Sequence, residues 1–441
     1  MGNLPIQPIF PSSDKVWDPE TLEKMRSEGD PPADDTVDEI LRANDDNPEN
    51  AAKVLLRQLL GGGHHNVLLG APGTDRLTEF LQEYSKLPRW AEPEQITIGQ
   101  QLGRRHTIVG SVLLAVASLP ECYLDARGAP VLVSTGQLSE QPARRLRHTS
   151  HMVFSICAPG GIIPADNAPP DTVPRGLSKA ITVRLMHALI RRFTEEGYRL
   201  PETFYASVEQ ELDMKPLPFE EEHKPVPINQ EDQAFVLLTF SYVVLRGLER
   251  MGIEVTPRER DAYVHLWNVV GHSMGIRREL MADSYAEAAS LFHALKQRLA
   301  GPSEEGQALM KAMLGWINNL VPRPARGLNL AAELVIHFVG REGAAMLGIE
   351  QRGRRWLRHR AFTLAIDGYE ALGPQGSRFN PLVMAMNTLA GPMVRAFMSE
   401  ASTNRPPPPA YLLKGKDRPT IPPSAEQWPE YIVQTYGGAR T

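Results

Sequence analysis

An all-α fold is predicted by the helical period of the apolar residues, by the near absence of strand-like runs, and by where glycine and proline interrupt the pattern. Helical patterns dominate from Pro48 onward, and the one strand-like run of note is Val131–Val133, set between Gly128-Ala129-Pro130 and Gly136. No repeat of fixed period is present. A chain of 441 residues with 42% hydrophobic content has the length of about two or three domains or of one large helical domain, with a core able to enclose a sizeable apolar cofactor.

The elements follow in order. Residues 1–47 are polar, acidic and proline-containing, with short helical candidates at Pro19–Ser27 and Asp35–Arg42, and read as a wrapping arm more than a core. Helices are then expected at Asn50–Leu60, Arg76–Ser85, Pro93–Ser118, Gln141–Ile156 and Ser178–Gly197, and next at Gln230–Met251, Pro257–Met274 and Asp283–Leu299. Four more are expected at Ser303–Asn319, Asn329–Gly340, Arg352–Leu372 and Pro381–Glu400. Pro159–Arg175 and Lys215–Pro227 are rich in loop formers and read as connections. The tail from Ala401, with Arg405-Pro406-Pro407-Pro408-Pro409, reads as extended and polyproline-like. The expected organisation is an arm over 1–47, a helical domain over 48–400 and a proline-rich tail over 401–441.

A formal net charge of -5 gives no general attraction to nucleic acid. Two cysteines, Cys122 and Cys157, do not make a disulfide framework. Met1 to Trp17 lacks a basic start followed by an apolar stretch, Ile6 stands where a myristoylation motif wants Ser or Thr, and no run of about 18 apolar residues appears. The expectation is a cytoplasmic protein without a transmembrane segment. No phosphate-binding glycine loop, Gly-x-Ser-x-Gly elbow or His-Glu-x-x-His zinc motif is found.

The densest chemistry lies in Ser178–Gly197, an apolar helix that carries Arg184, His187 and Arg191. At about 100° per residue these three side chains fall within roughly 60° of arc. Charged groups on such a helix are costly unless acids face them. A haem would supply iron for His187 and two propionates for the arginines; protein carboxylates such as Glu195, Glu196 or Glu231 would serve the arginines equally well. A second cluster, Arg144, Arg145, Arg147, His148, Thr149 and His151, runs into Met152, Val153, Phe154 and Ile156, with Arg145, His148, Thr149 and Met152 on one face. This is an ordinary amphipathic helix or the lining of a cofactor's second side. A porphyrin-free metal site from His148, His151 and His187 is the chemical rival. A scaffold role centred on the proline tail is a further one.

Several motifs in order, over about Pro93 to Leu347, resemble the latex-clearing rubber oxygenases and the related mycophenolic-acid-pathway oxygenases. They include Gly99-Gln100-Gln101-Leu102, Leu119-Pro120-Glu121-Cys122-Tyr123, Val131-Leu132-Val133-Ser134-Thr135-Gly136 and Ala158-Pro159-Gly160-Gly161. Ile228-Asn229-Gln230-Glu231-Asp232 and Val270-Gly271-His272-Ser273-Met274-Gly275-Ile276 follow. The most specific is Arg184-Leu185-Met186-His187-Ala188.

The resemblance implies a globin-like helical core enclosing haem b, with His187 as proximal iron ligand and Arg184 and Arg191 on the propionates. The family's Arg-x-x-Lys-Thr element on the opposite face has its nearest counterpart in Arg145-Leu146-Arg147-His148-Thr149, where His148 replaces a lysine able to cap the iron. Glu121 lies in the region of the family's carboxylate base. The implied activity is a dioxygen-dependent cleavage or oxygenation of a C=C bond in a small or oligomeric apolar, isoprenoid-like substrate. A haem-binding relative of the same fold without dioxygenase activity is the nearest alternative.

Overall fold

The computed structural model describes residues 17–43, 55, 74–134, 142–164, 172–195, 226–320, 329–349, 385 and 388–390. Among them every extended element is helical, and the only ladder contact is an isolated antiparallel bridge between Asp125 and Ala300. The all-α expectation holds. The helices expected at Asn50–Leu60, Arg352–Leu372 and most of Pro381–Glu400, and the proline-rich tail, lie outside the described residues.

The first two helices are α1 (Pro19–Arg26) and α2 (Pro31–Arg42), each with proline in its first turn, where the missing N–H costs nothing. They bury Leu22, Met25, Ala33, Val37 and Ile40, so this part of the N-terminal arm contributes to the core. Helix α3 (Thr74–Tyr84) packs on α2. Helix α4 (Pro93–Arg105) turns by 80° at His106 into α5 (Thr107–Leu113). Sequence periodicity reads these as one run because the apolar spacing continues across the bend. The break follows from Thr107, whose hydroxyl donates back to the carbonyls of Gly103 (3.1 Å) and Arg104 (2.8 Å).

A wide π-type turn over Leu114–Ser118 joins α5 to α6 (Leu119–Tyr123). Pro120, which has no N–H for the preceding turn, accounts for that widening. Val131–Val133 belongs to a helix, α7 (Gly128–Ser134), which corrects the strand reading. Asp125 starts it by accepting from the backbone N–H of Arg127 (3.0 Å) and Gly128 (2.9 Å). Branched residues alone do not make a strand without a partner to pair with.

Helices α8 (Pro142–Cys157) and α9 (Arg175–Glu195) pack on each other, and α9 also packs on α2. The expected run Gln230–Met251 divides into α10 (Gln230–Phe240) and α11 (Tyr242–Arg250) at Ser241, whose hydroxyl donates to Leu237 O at 3.2 Å. Helix α12 (Pro257–Ser273) starts with a complete capping box between Thr256 and Glu259. It packs closely on α4, where Gly99 allows the approach: an added Cβ would sit 2.7 Å from Ala262 O. Helices α13 (Tyr285–Leu299), α14 (Glu304–Leu320), α15 (Leu330–Val339) and α16 (Arg341–Met346) complete the described fold. The core centres on Phe235, stacked on Phe292 at 5.4 Å, and on Phe240, stacked on Trp267 at 5.2 Å. No single described helix is long and apolar enough to cross a membrane.

Candidate functional site: an apolar cavity beside His187

His187 lies on the wall of a cavity lined by α7, α8, α9, α10 and α12 and the segment after α12. Met152, Ile190, Val236, Phe240, Trp267 and Ile276 give it mainly apolar walls. Apolar lining with a few polar groups is typical of sites for small molecules and cofactors.

The imidazole is oriented by Gln233, whose Oε1 lies 3.4 Å from His187 Nδ1. Gln233 is fixed in turn, because its Nε2 donates to Ile228 O at 3.1 Å. An amide held in this sense offers only its oxygen to the ring, so Nδ1 carries the proton and Nε2 the lone pair. Ile228 adopts φ 52°, the left-handed region that a β-branched residue rarely enters. Its carbonyl accepts from both Gln233 and Arg191 (3.0 Å), which hold the strained turn in place at the edge of the cavity.

Arg184 and Arg191 are almost fully buried, at 3% and 2% exposure. Neither lines the cavity. Arg184 makes a two-pronged contact with Asp30, Nε to Oδ2 at 2.6 Å and Nη2 to Oδ1 at 2.7 Å, and its guanidinium lies 4.0 Å from the centre of the Tyr84 ring. Arg191 Nε donates to Asp34 at 2.8 Å. The acids facing them in this structure therefore come from the N-terminal arm. Of the carboxylates considered from sequence, Glu231 is taken by Arg298, and the side chains of Glu195 and Glu196 lie outside the described residues. Arg184 Nη1 and Arg191 Nη2 remain buried without a hydrogen-bond partner among the described residues.

Gln230 ties these pieces together. Its Nε2 donates to Gly29 O (2.8 Å) and Gly275 O (3.0 Å), and its Oε1 accepts from the Arg277 N–H (2.9 Å). Gly275, at φ 86°, leaves the space that Asp30 and Arg184 occupy; a Cβ there would fall 2.1 Å from Asp30 Oδ2.

Two carboxylates that sequence reasoning missed, Asp125 and Asp232, also line the cavity. Burial pushes Asp125 up to about 7, with Glu231 adding to the shift and the backbone N–H of Gly128 opposing it. Asp232 is raised well above the usual carboxylate range by burial first and then by the charges of Asp125 and Glu231. The signal for Asp125 was present: an acidic residue three positions before Gly128-Ala129-Pro130 is a helix-start pattern. Glu121, in contrast, is fully buried away from the cavity, where it pairs with Arg246 (2.8 Å) and Lys296 (2.6 Å).

Of the second cluster, Arg145 and His148 stand on α8, but their side chains lie outside the described residues. Thr149 and His151 on the same helix are half-buried, and Met152, one turn after His148, reaches the cavity wall. Among the described residues, no group of three or more His, Cys, Asp or Glu is placed to hold a metal ion.

Residues 104–367, more than half of the chain, match the family model described as ER-bound oxygenase mpaB/B'/Rubber oxygenase, catalytic domain. The chain is 21% identical over 252 residues to the rubber oxygenase of Streptomyces sp. (strain K30), which spans 57% of this chain and about half, 55%, of that protein. It is similar in fold to latex clearing protein LCP in the closed state, with a TM-score of 0.60 and 18% identity over 84% of this chain and 91% of that one. The helical fold is shared with that structure, and the matched model is that of an oxygenase catalytic domain. The chain belongs to the mpaB/rubber oxygenase family.

Proposed function

We propose that the protein is a haem b-dependent oxygenase that uses dioxygen to cleave or oxygenate a C=C bond of an apolar, isoprenoid-like substrate. The observation that carries this reading is His187, an imidazole with its Nδ1 side fixed by Gln233 and placed on the wall of a mainly apolar cavity. Histidines that bind metals characteristically have the second ring nitrogen engaged in this way. One oriented imidazole and mainly apolar walls fit the group, while Arg184 and Arg191 lie behind the wall. When bound, the haem supplies the iron at which dioxygen is activated.

The chain's own residues hold and enclose. His187 Nε2 is the ligating atom. Arg184 and Arg191, anchored by Asp30 and Asp34, fix the helix that carries it from behind the cavity wall. Met152, Val236, Phe240, Trp267 and Ile276 exclude water and match an apolar substrate. Asp125, with burial raising it to about 7, holds or releases a proton at its carboxyl oxygen near neutral pH. Arg145, His148 and Thr149 serve the opposite side from α8, with His148 one turn from Met152 in the cavity wall.

A pyridine hemochrome assay and a Soret titration with hemin test the reading. The unchanged protein should take up one haem b, and His187→Ala should lose it or change its coordination spectrum. A colourless protein that ignores added hemin, or a His187→Ala variant with an unchanged Soret band, would overturn it. Ferric resonance spectra resolve His148: ligation gives a low-spin signal that His148→Leu removes.

A further inference from the structure

Ile228 sits between Pro227 and Asn229 in the turn that leads into α10, in a left-handed backbone conformation, φ 52°, that a β-branched residue adopts only under constraint. Asn229 closes the turn as the helix cap, its Oδ1 accepting from the Asp232 N–H at 2.9 Å and its Nδ2 donating to Val226 O at 3.1 Å. The result is a carbonyl that faces two donors at once: Ile228 O accepts from Gln233 Nε2 at 3.1 Å and from Arg191 Nη1 at 3.0 Å.

That carbonyl decides which way round the Gln233 amide lies. With Nε2 donating to Ile228 O, Oε1 is left toward His187 Nδ1; the flipped amide would set two oxygens against each other. Arg191 keeps the carbonyl in place with a charge-assisted bond, and Asp34 on α2 holds Arg191 Nε at 2.8 Å. Asp34 is fixed in turn, because its Oδ2 accepts from the Asp30 N–H at 2.9 Å. A continuous chain of contacts therefore runs from the N-terminal arm through Arg191, Ile228 and Gln233 to the imidazole.

We propose that Asp34, Arg191 and Ile228 are positioning residues for His187: acting through the Gln233 amide, they fix which ring nitrogen carries the proton and which keeps its lone pair. The inference rests on the reading of His187 as a ligand, and it adds how contacts behind the cavity wall set the chemistry of the ring. The left-handed turn at Ile228 is retained for the placement of its carbonyl. Glycine, which enters that region of backbone space freely, therefore serves in its place.

The test reads the ring itself. The full chain, isotope-labelled at its histidine nitrogens and free of hemin, is studied by long-range proton–nitrogen correlation, which distinguishes the two neutral forms of each imidazole. His187→Gln identifies the His187 signals by their loss. In the unchanged protein about nine-tenths or more of the neutral ring should carry its proton on Nδ1, and Arg191→Met should lower that share to about half or less. Asp34→Ala, which leaves the guanidinium in place but unanchored, should lower it in the same sense and stands in if Arg191→Met folds poorly. Ile228→Gly should preserve it. So should Arg192→Ala, which breaks the neighbouring pair with Asp38, at 2.7 Å, between the same two helices. A proton on Nε2 in the unchanged protein, a share unmoved in both Arg191→Met and Asp34→Ala, a loss in Ile228→Gly, or an equal loss in Arg192→Ala overturns the proposal. The measurement needs no hemin, so a protein that shows the expected pattern yet fails to take up hemin sinks the oxygenase reading alone.

Discussion

Arg184 and Asp30, separated by 154 residues in sequence, form a buried two-pronged ion pair at 2.6 and 2.7 Å that pins the helix bearing His187 to the N-terminal arm. Breaking such a pair from one side leaves a charge with neither water nor partner. Asp30→Ala should therefore destabilise the protein by about 3–5 kcal/mol in urea unfolding. A loss below about 1 kcal/mol, the range of an exposed pair, would show that Arg184 finds other compensation.

Gln233 sets the ring of His187 without lining up as a ligand itself. Gln233→Leu keeps the bulk and removes the acceptor, so hemin affinity should fall about tenfold or more, with a shifted Soret band. An unchanged spectrum and affinity would mean that the ring is oriented by its surroundings alone.

Asp125 makes stability depend on pH in a defined direction. Its carboxyl is raised from 3.8 to about 7 in the folded protein, so the folded state holds a proton that the unfolded chain releases. Stability is thus highest below about pH 4 for this group and falls as pH rises toward about 7. Asp125→Asn removes this titration. Melting temperatures of the variant should change less between about pH 5 and about pH 8 than those of the unchanged protein, with Asp232 retaining part of the slope. Identical slopes would assign the pH dependence elsewhere.

Glu121 is the hub of a buried cluster, accepting from Arg246 and Lys296. Glu121→Gln preserves its shape but strands two cations, and a loss of about 3 kcal/mol or more is expected. The position of the Soret band in the protein that still folds should not move, because the residue lies outside the His187 cavity. A moved band would return Glu121 to the site.

Much of this arrangement is legible in the chain, and its gaps have physical causes. The imidazole and two guanidiniums on one apolar helix stand out because charge is expensive there, and His187 does reach a cavity. The identity of the acids facing Arg184 and Arg191 has no local signature: Asp30 and Asp34 look like ordinary residues in an acidic stretch, and only the fold brings α2 onto α9. The helix breaks at His106 and Ser241 are hidden for a different reason. Hydroxyl groups turning back on their own helix interrupt it without disturbing the spacing of the apolar residues on either side.

The family match begins at residue 104, whereas the three aspartates that hold α9, Asp30 with Arg184, Asp34 with Arg191 and Asp38 with Arg192, all precede it. The boundary drawn by shared ancestry is thus not the boundary of a self-sufficient folding unit. A recombinant fragment cut there would bare three guanidiniums and the greasy flank beneath them, and would be expected to precipitate when expressed without its first hundred residues.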